Sequence, residues 1–165
     1  MPILNDESLE FISHSVDQTK RVGMRLGALL IPGDIIQLVG ELGSGKTTLV
    51  QGISSGWGST DQVTSPSFVL VNVYRRPDHK RLFHLDAYRL ESPDEAMELD
   101  LLNFIENGPL VVEWADQIDT ALPSEHIKIS FKWVDIEQRD LLFMAHGDRY
   151  QKKLEILRNQ VFGVF

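Results

Sequence analysis

The sequence predicts an α/β fold in which a mixed, mostly parallel central sheet is flanked by helices. Two features predict it. Helical and strand-like segments alternate through the first half of the chain, and strand-like segments cluster in the second. Ile35-Ile-Gln-Leu-Val39 is a short, mostly apolar run, the pattern of a strand buried on both faces. The 165 residues suit one domain spanning 1–165, and 42% hydrophobic with 24% charged residues lies close to the globular average.

Each element has its own signal. Glu10 to Ser13 reads as a short strand. Ser15-Val-Asp-Gln18 is a capping box, with the Ser15 hydroxyl on an orphan amide and Gln18 reaching back. The helix it opens carries Val22, Leu26, Leu29 and Leu30 on one face, and Pro32-Gly33 stops it. After the Ile35–Val39 strand comes a glycine-rich loop, then a helical run, Thr48 to Ile53, which Gly52, Gly56 and Gly58 are expected to break. Phe68 to Tyr74 and Arg81 to Leu85 read as a hairpin turning at Pro77-Asp78. Ser92-Pro-Asp-Glu95 is a second capping box with Pro at the first helical position, so a short acidic helix starts there. Asn107-Gly108-Pro109 ends that region, and Leu110-Val-Val-Glu113 is another apolar strand. His126 to Trp133 and Asp140 to Ala145 read as strands. Arg149 to about Asn159 reads as a surface-packed helix with Leu154, Leu157 and Val161 as its apolar members.

Composition excludes several classes. No apolar run approaches the roughly 20 residues that span a bilayer, and the Met-Pro-Ile-Leu-Asn-Asp start does not resemble a signal peptide. The chain is expected to be soluble, with no membrane partner. With 24 acidic and 16 basic residues it carries a formal charge of −8, which gains little from phosphate neutralisation. No basic cluster is denser than Arg75-Arg76 or Lys152-Lys153, so strong direct nucleic-acid binding is not expected. There is no cysteine, which removes disulfides, thiolate metal sites and thiol catalysis and fits a reducing cytoplasm.

Gly40-Glu-Leu-Gly-Ser-Gly-Lys-Thr47 matches G-x-x-x-x-G-K-[ST] completely, between an apolar strand and a helical run. The fold expected is therefore P-loop NTPase-like. Glycines let backbone N–H groups converge on phosphate oxygens, and the helix that follows offers its positive end. Glu41, Leu42, Gly43, Ser44, Gly45, Lys46, Thr47 and Thr48 are the expected nucleotide cradle. Lys46 supplies a charge to the β- and γ-phosphates, and Thr47 supplies a hydroxyl to Mg²⁺. Such a site also needs a carboxylate for the metal and a group to position the attacking water. Asp86 closes Leu82-Phe-His-Leu-Asp86, Glu113 closes Leu110-Val-Val-Glu113, and strand C-terminal edges are where such sheets bind ligands. Asp86 is assigned to Mg²⁺, directly or through water, and Glu113 to the attacking water or the metal shell, the two roles being interchangeable on sequence alone. The hydroxyls of Val63-Thr-Ser-Pro-Ser-Phe68 fit either a γ-phosphate-sensing segment or a plain polar turn. Arg89 reads as a structural ion pair, His84 as either a sheet histidine or a functional one, and Trp57 and Trp114 as core or interface aromatics. No second arginine is visibly placed to act in cis.

Taken together, the P-loop through Thr48, Ser65-Pro-Ser-Phe68, His84-Leu-Asp-Ala-Tyr-Arg89 and Val112-Glu-Trp114 resemble the TsaE (YjeE) family over about residues 10 to 145. Members are small bacterial P-loop ATPases of the pathway that makes threonylcarbamoyladenosine at position 37 of tRNA. The resemblance implies Lys46 and Thr47 at the phosphates and Mg²⁺, Asp86 at the metal and Glu113 in hydrolysis. It also implies that Ser65 and Ser67 lie near the γ-phosphate. Ser67 stands where the family usually has Thr, so the hydroxyl is kept and a methyl is lost. The family works with a TsaB–TsaD pair, which implies ATP turnover in support of that complex and contact with tRNA only through partners. Hydrolysis by the isolated chain is expected to be weak. The residues after Ala145 match no family pattern.

Two other activities share the motif. A small-molecule or nucleotide kinase needs an acceptor pocket and an arginine-bearing lid, for which Arg75 to Arg81 is the one compact candidate. A GTPase switch needs D-x-x-G and N-K-x-D or T-K-x-D, and none of these occurs. A scaffold with a relic loop would not be expected to retain Lys46, Thr47, Asp86 and Glu113 together.

Overall fold

The computed structural model describes residues 7–41, 43–64 and 71–162. Its strands are β1 (Ser8–Ser13), β2 (Ile35–Val39), β3 (Val71–Arg75), β4 (Arg81–Asp86), β5 (Leu110–Glu113), β6 (His126–Trp133) and β7 (Arg139–His146). They form one sheet in the order β1-β7-β6-β2-β5-β4-β3. The central strands β6, β2, β5 and β4 pair in parallel, and the three outer pairings, β1–β7, β7–β6 and β4–β3, are antiparallel. The outer reversals follow from connection length, because β3–β4 and β6–β7 are joined by short hairpins that cannot cross over. In the first of these, Arg76 N–H bonds to Lys80 O and His79 turns through φ 68°.

Helices α1 (Val16–Gly27), α2 (Lys46–Trp57), α3 (Pro93–Met97), α4 (Leu101–Asn107) and α5 (Asp148–Phe162) flank the sheet, with a 3-10 helix at Ala115–Ala121. The sheet divides two apolar clusters. Ile36, Leu38 and Val111 pack with residues of α1, α2 and α5 on one face. Leu110, Val112, Phe83 and Leu85 pack with α3, α4 and the 3-10 helix on the other. Alternate residues of β5 thus enter opposite clusters, as a strand covered on both faces requires.

Several local expectations are corrected. Helix α1 stops at Gly27, and Leu29 and Leu30 lie in the following turn, donating to carbonyls three residues back. Ser15 does cap α1, accepting from Gln18 N–H at 3.1 Å, but the Gln18 side chain returns to His14 N–H at 2.8 Å, one residue early. The Ser92 box is shifted the same way: Ser92 makes no side-chain cap, and Glu95 accepts from Glu91 N–H at 3.1 Å. The acidic helix is split in two at Asp100, which adopts φ 55°.

The largest difference is α2. It begins at Lys46 and runs unbroken through Gly52 and Gly56, and only Gly58 ends it. Glycine costs about 1 kcal/mol in a helix interior, but here tertiary contact requires it. A Cβ on Gly52 would fall 2.2 Å from Lys20 O, and one on Gly56 would fall 1.9 Å from Met24 O. From the other side, Cβ atoms on Gly23 and Gly27 would fall 2.6 Å from Leu49 O and 2.1 Å from Ile53 O. Two glycine pairs at i and i+4 thus bring α1 and α2 into backbone contact.

The C-terminal helix is part of the core, with Tyr150, Leu154 and Leu157 buried. Buried Asp34 ties it to the start of β2, pairing with Arg149 at 2.7 Å and Lys153 at 3.4 Å, while the Tyr150 hydroxyl accepts from Ile35 N–H at 3.0 Å.

Candidate active site

The glycine-rich loop leaves the C-terminal end of β2 and becomes α2 at Lys46. Gly43 and Gly45 take φ of 76° and 107°, a region open to glycine without steric cost. A Cβ on Gly43 would meet nothing within 4 Å, so the loop is open above that residue. No side chain caps α2, and Gly45, Lys46, Thr47 and Thr48 line a cavity of about 430 Å³. The uncapped first turn therefore presents the positive end of a helix to that space, the arrangement that binds phosphate.

Across the cavity stand the two expected carboxylates. Asp86 and Glu113 are the last residues of β4 and β5 and are Cα partners in register. Both line the cavity and both are nearly buried, at 9% and 3% exposure. Burial pushes the Asp86 carboxyl above the usual carboxylate range, Tyr88 N–H opposes the shift by donating at 2.9 Å, and the Glu113 charge adds to it. Lys46 is 6% exposed. Its Nζ donates to the carbonyls of Gly40 and, at 2.8 Å, Glu41, and stands 4.3 Å from the centre of the Trp114 ring. Burial lowers its pKa below the usual lysine range, against the attraction of Glu113, Asp86 and Glu41.

The remaining cradle residues divide. Exposed Glu41 contributes its carbonyl, and buried Ser44 turns its hydroxyl beneath the loop toward Gly40. Neither lines the cavity. Leu42, Ser65 and Ser67 lie outside the described residues.

Three further residues shape the site. His84 is fully buried on β4, between β3 and β5, with Nε2 2.8 Å from Glu113 Oε2 and Nδ1 2.8 Å from the Tyr74 hydroxyl. Its alternation with Phe83 and Leu85 marks a strand but not which strand lies beside it. Arg139, at the start of β7, also lines the cavity. Its guanidinium spans the carbonyls of Asp135, Ile136 and Gln138 and reaches Gly43 O at 3.4 Å, so it ties the β6–β7 turn to the loop. Trp114, in the left-handed region at φ 58°, packs against the second apolar cluster and also forms a wall of the cavity, beneath Lys46 and 5.1 Å from the Tyr88 ring. Arg89 also lines the cavity, as do Val16 and Ile136. Trp57 is a core residue, as expected.

Known proteins share this arrangement of sequence and fold. A model of the family Threonylcarbamoyl adenosine biosynthesis protein TsaE matches residues 13–141. The tRNA threonylcarbamoyladenosine biosynthesis protein TsaE of Bacillus subtilis is 35% identical over 151 residues, covering 92% of this chain and 94% of that protein. Its namesake in Nostoc is 36% identical over 135 residues, with 79% and 82% covered. The crystal structure of YdiB from Bacillus subtilis superposes with a TM-score of 0.78 at 32% identity, covering 93% of this chain and 96% of that one.

Proposed function

This chain belongs to the TsaE family of threonylcarbamoyl adenosine biosynthesis proteins, and from that premise we propose that it is a Mg²⁺-dependent ATPase supporting a TsaB–TsaD complex. The observation that carries this reading is a pair of buried carboxylates, Asp86 and Glu113, facing the uncapped start of α2 and the desolvated Lys46. The chain's place is in tRNA threonylcarbamoyladenosine biosynthesis. With a net charge of −8, it meets tRNA through its partners.

The donor set fits Mg²⁺. Among the described residues no group of three His, Cys, Asp or Glu side chains can hold a metal alone. Thr47 and Asp86 would hold the ion, with phosphate oxygens and water completing the shell, the usual manner of Mg²⁺. Bound there, it neutralises charge developing on the β- and γ-phosphate oxygens. Lys46 turns from the Gly40 and Glu41 carbonyls to the same phosphates. Glu113 accepts a proton from the attacking water. The water oxygen bonds to the γ-phosphorus as the bond to the β,γ-bridging oxygen breaks, and ADP leaves with that electron pair. Val16, Ile136 and Arg139 supply an apolar and cationic wall against which a base can lie.

The kinase reading loses its lid. None of Arg75 to Arg81 lines the cavity, and Arg76 is held by Asp78 at 2.9 Å and by Trp57 O at 3.1 Å. Among the described residues no helix is long and apolar enough to cross a membrane.

The test is ATP hydrolysis by the purified chain, alone and with its TsaB–TsaD pair. A slow basal rate that the pair strongly stimulates is expected. ADP release that depends instead on a phosphate acceptor would make the chain a kinase.

A further inference from the structure

The hydrogen bonds that hold Glu113 extend well beyond the cavity. His84 Nε2 lies 2.8 Å from Glu113 Oε2, and His84 Nδ1 lies 2.8 Å from the Tyr74 hydroxyl. That hydroxyl is 3.4 Å from Thr64 O, which also takes Asn72 Nδ2 at 3.1 Å. The side chains come from three adjacent strands, β3, β4 and β5. Tyr74 is 2% exposed, His84 0% and Glu113 3%, so the three side chains meet out of bulk solvent.

A carboxylate only accepts, so His84 Nε2 donates to Glu113. Its other nitrogen, Nδ1, pairs with the Tyr74 hydroxyl at 2.8 Å. Tyr74 thus fixes the ring that His84 presents to Glu113, in the way an outer partner orients a ligating or catalytic group.

We propose that His84 and Tyr74 are positioning residues for Glu113. His84 takes one carboxylate oxygen, Oε2, and so fixes the carboxylate plane with Oε1 left for the attacking water. Tyr74 holds the His84 ring from its other nitrogen. The proposal rests on the hydrolytic role given to Glu113 above. It also accounts for a fully buried histidine beside a cavity it does not line.

The full-length chain with its TsaB–TsaD pair provides the assay, with binding of a fluorescent ATP analogue measured alongside. Tyr74→Phe removes a single oxygen. It is expected to lower kcat about 3- to 10-fold, with nucleotide affinity within twofold of wild type. His84→Phe is expected to lower kcat about 100-fold at similar affinity, and His84→Gln, whose amide can reach Glu113, to recover at least a tenth of the wild-type rate. Unchanged kcat in both Tyr74→Phe and His84→Phe would overturn the proposal, as would an equal loss of affinity and rate, which marks a merely structural role. Should His84→Phe fail to fold, Tyr74→Phe and His84→Gln still decide. Glu113→Gln, run in parallel, separates the two levels. If it alone abolishes turnover, the positioning proposal falls and the role of Glu113 stands. If it turns over normally, the hydrolytic reading beneath both falls.

Discussion

Asp86 and Glu113 stand opposite each other, in register, at the ends of two parallel strands whose remaining residues are almost wholly buried. Burial, and then the Glu113 charge, raise the cost of ionising Asp86. Tyr88 N–H offsets that cost at Asp86, His84 holds Glu113, and Lys46 attracts both. On the function proposed above, a divalent cation arriving with the phosphates would offset the negative charge of this pair.

Glu113→Gln separates binding from chemistry. The amide keeps the size of the carboxylate but cannot take a proton from water. Mg-ATP affinity should stay within about threefold of wild type while single-turnover hydrolysis falls 10²- to 10⁴-fold. Loss of affinity with the fold intact would move Glu113 into the metal shell.

Asp86→Asn should stabilise the protein without nucleotide and disable it with Mg-ATP. Burial raises the folded-state pKa of Asp86, so the native chain binds that proton more tightly than the unfolded chain. Stability from this group is therefore full at low pH and is lost as pH rises from the ordinary carboxylate value through the raised one. Asparagine removes the loss and can still accept from Tyr88 N–H. A Tm gain of about 2–4 °C at pH 7.5, the shift that ~1 kcal/mol gives a domain of this size, should accompany the loss of Mg²⁺-dependent ATP binding. A lower Tm would show that the carboxylate stabilises the empty fold.

Gly52→Ala should be among the most damaging single-methyl additions in the chain. Its Cβ would meet backbone, Lys20 O at 2.2 Å, with no side chain able to swing aside. Overpacking of this kind costs about 3 kcal/mol, so thermal unfolding should show a Tm lower by about 6–12 °C. An unchanged Tm would mean that α1 and α2 part easily.

His126 should make the fold sensitive to mild acid. Burial, and then the neighbouring His146, hold its pKa below 6.5, and the two rings lie 4.7 Å apart. The folded chain therefore binds this proton less readily than the unfolded chain, so the contribution is present above pH 6.5 and declines as pH falls through the lowered value. Wild type should lose at least about 2 °C more in Tm than His126→Phe between pH 7.5 and 5.5. Parallel profiles would exclude the effect.

The elements whose information is local were legible in the sequence. Ile35–Val39 and Leu110–Glu113 are apolar runs with sharp ends, the phosphate loop is defined by its glycines, and the two strand-ending acids face it as expected. What escaped depends on neighbours distant in sequence. The glycines of α2 read as breakers because their partner helix lies about 30 residues earlier. His84 gave no sign of Tyr74 or Glu113, since strand order and register are tertiary facts. Arg139 reaches Gly43 across 96 residues of sequence. The 3-10 helix after Glu113 has no periodicity to announce it.

The glycine contact between α1 and α2 also sets the stiffness of the candidate site. Most packed helices are separated by a layer of side chains whose rotamers yield, allowing one helix to slide or roll on the other. Here carbonyl oxygens of each helix rest on glycines of its partner at two successive turns, so that compliant layer is missing. The helix bearing Lys46 and Thr47 is thereby fastened closely to α1. Movement at the candidate site would then fall to parts not fastened this way, foremost the β6–β7 turn, which the Arg139 guanidinium joins to the loop by a single long hydrogen bond at Gly43.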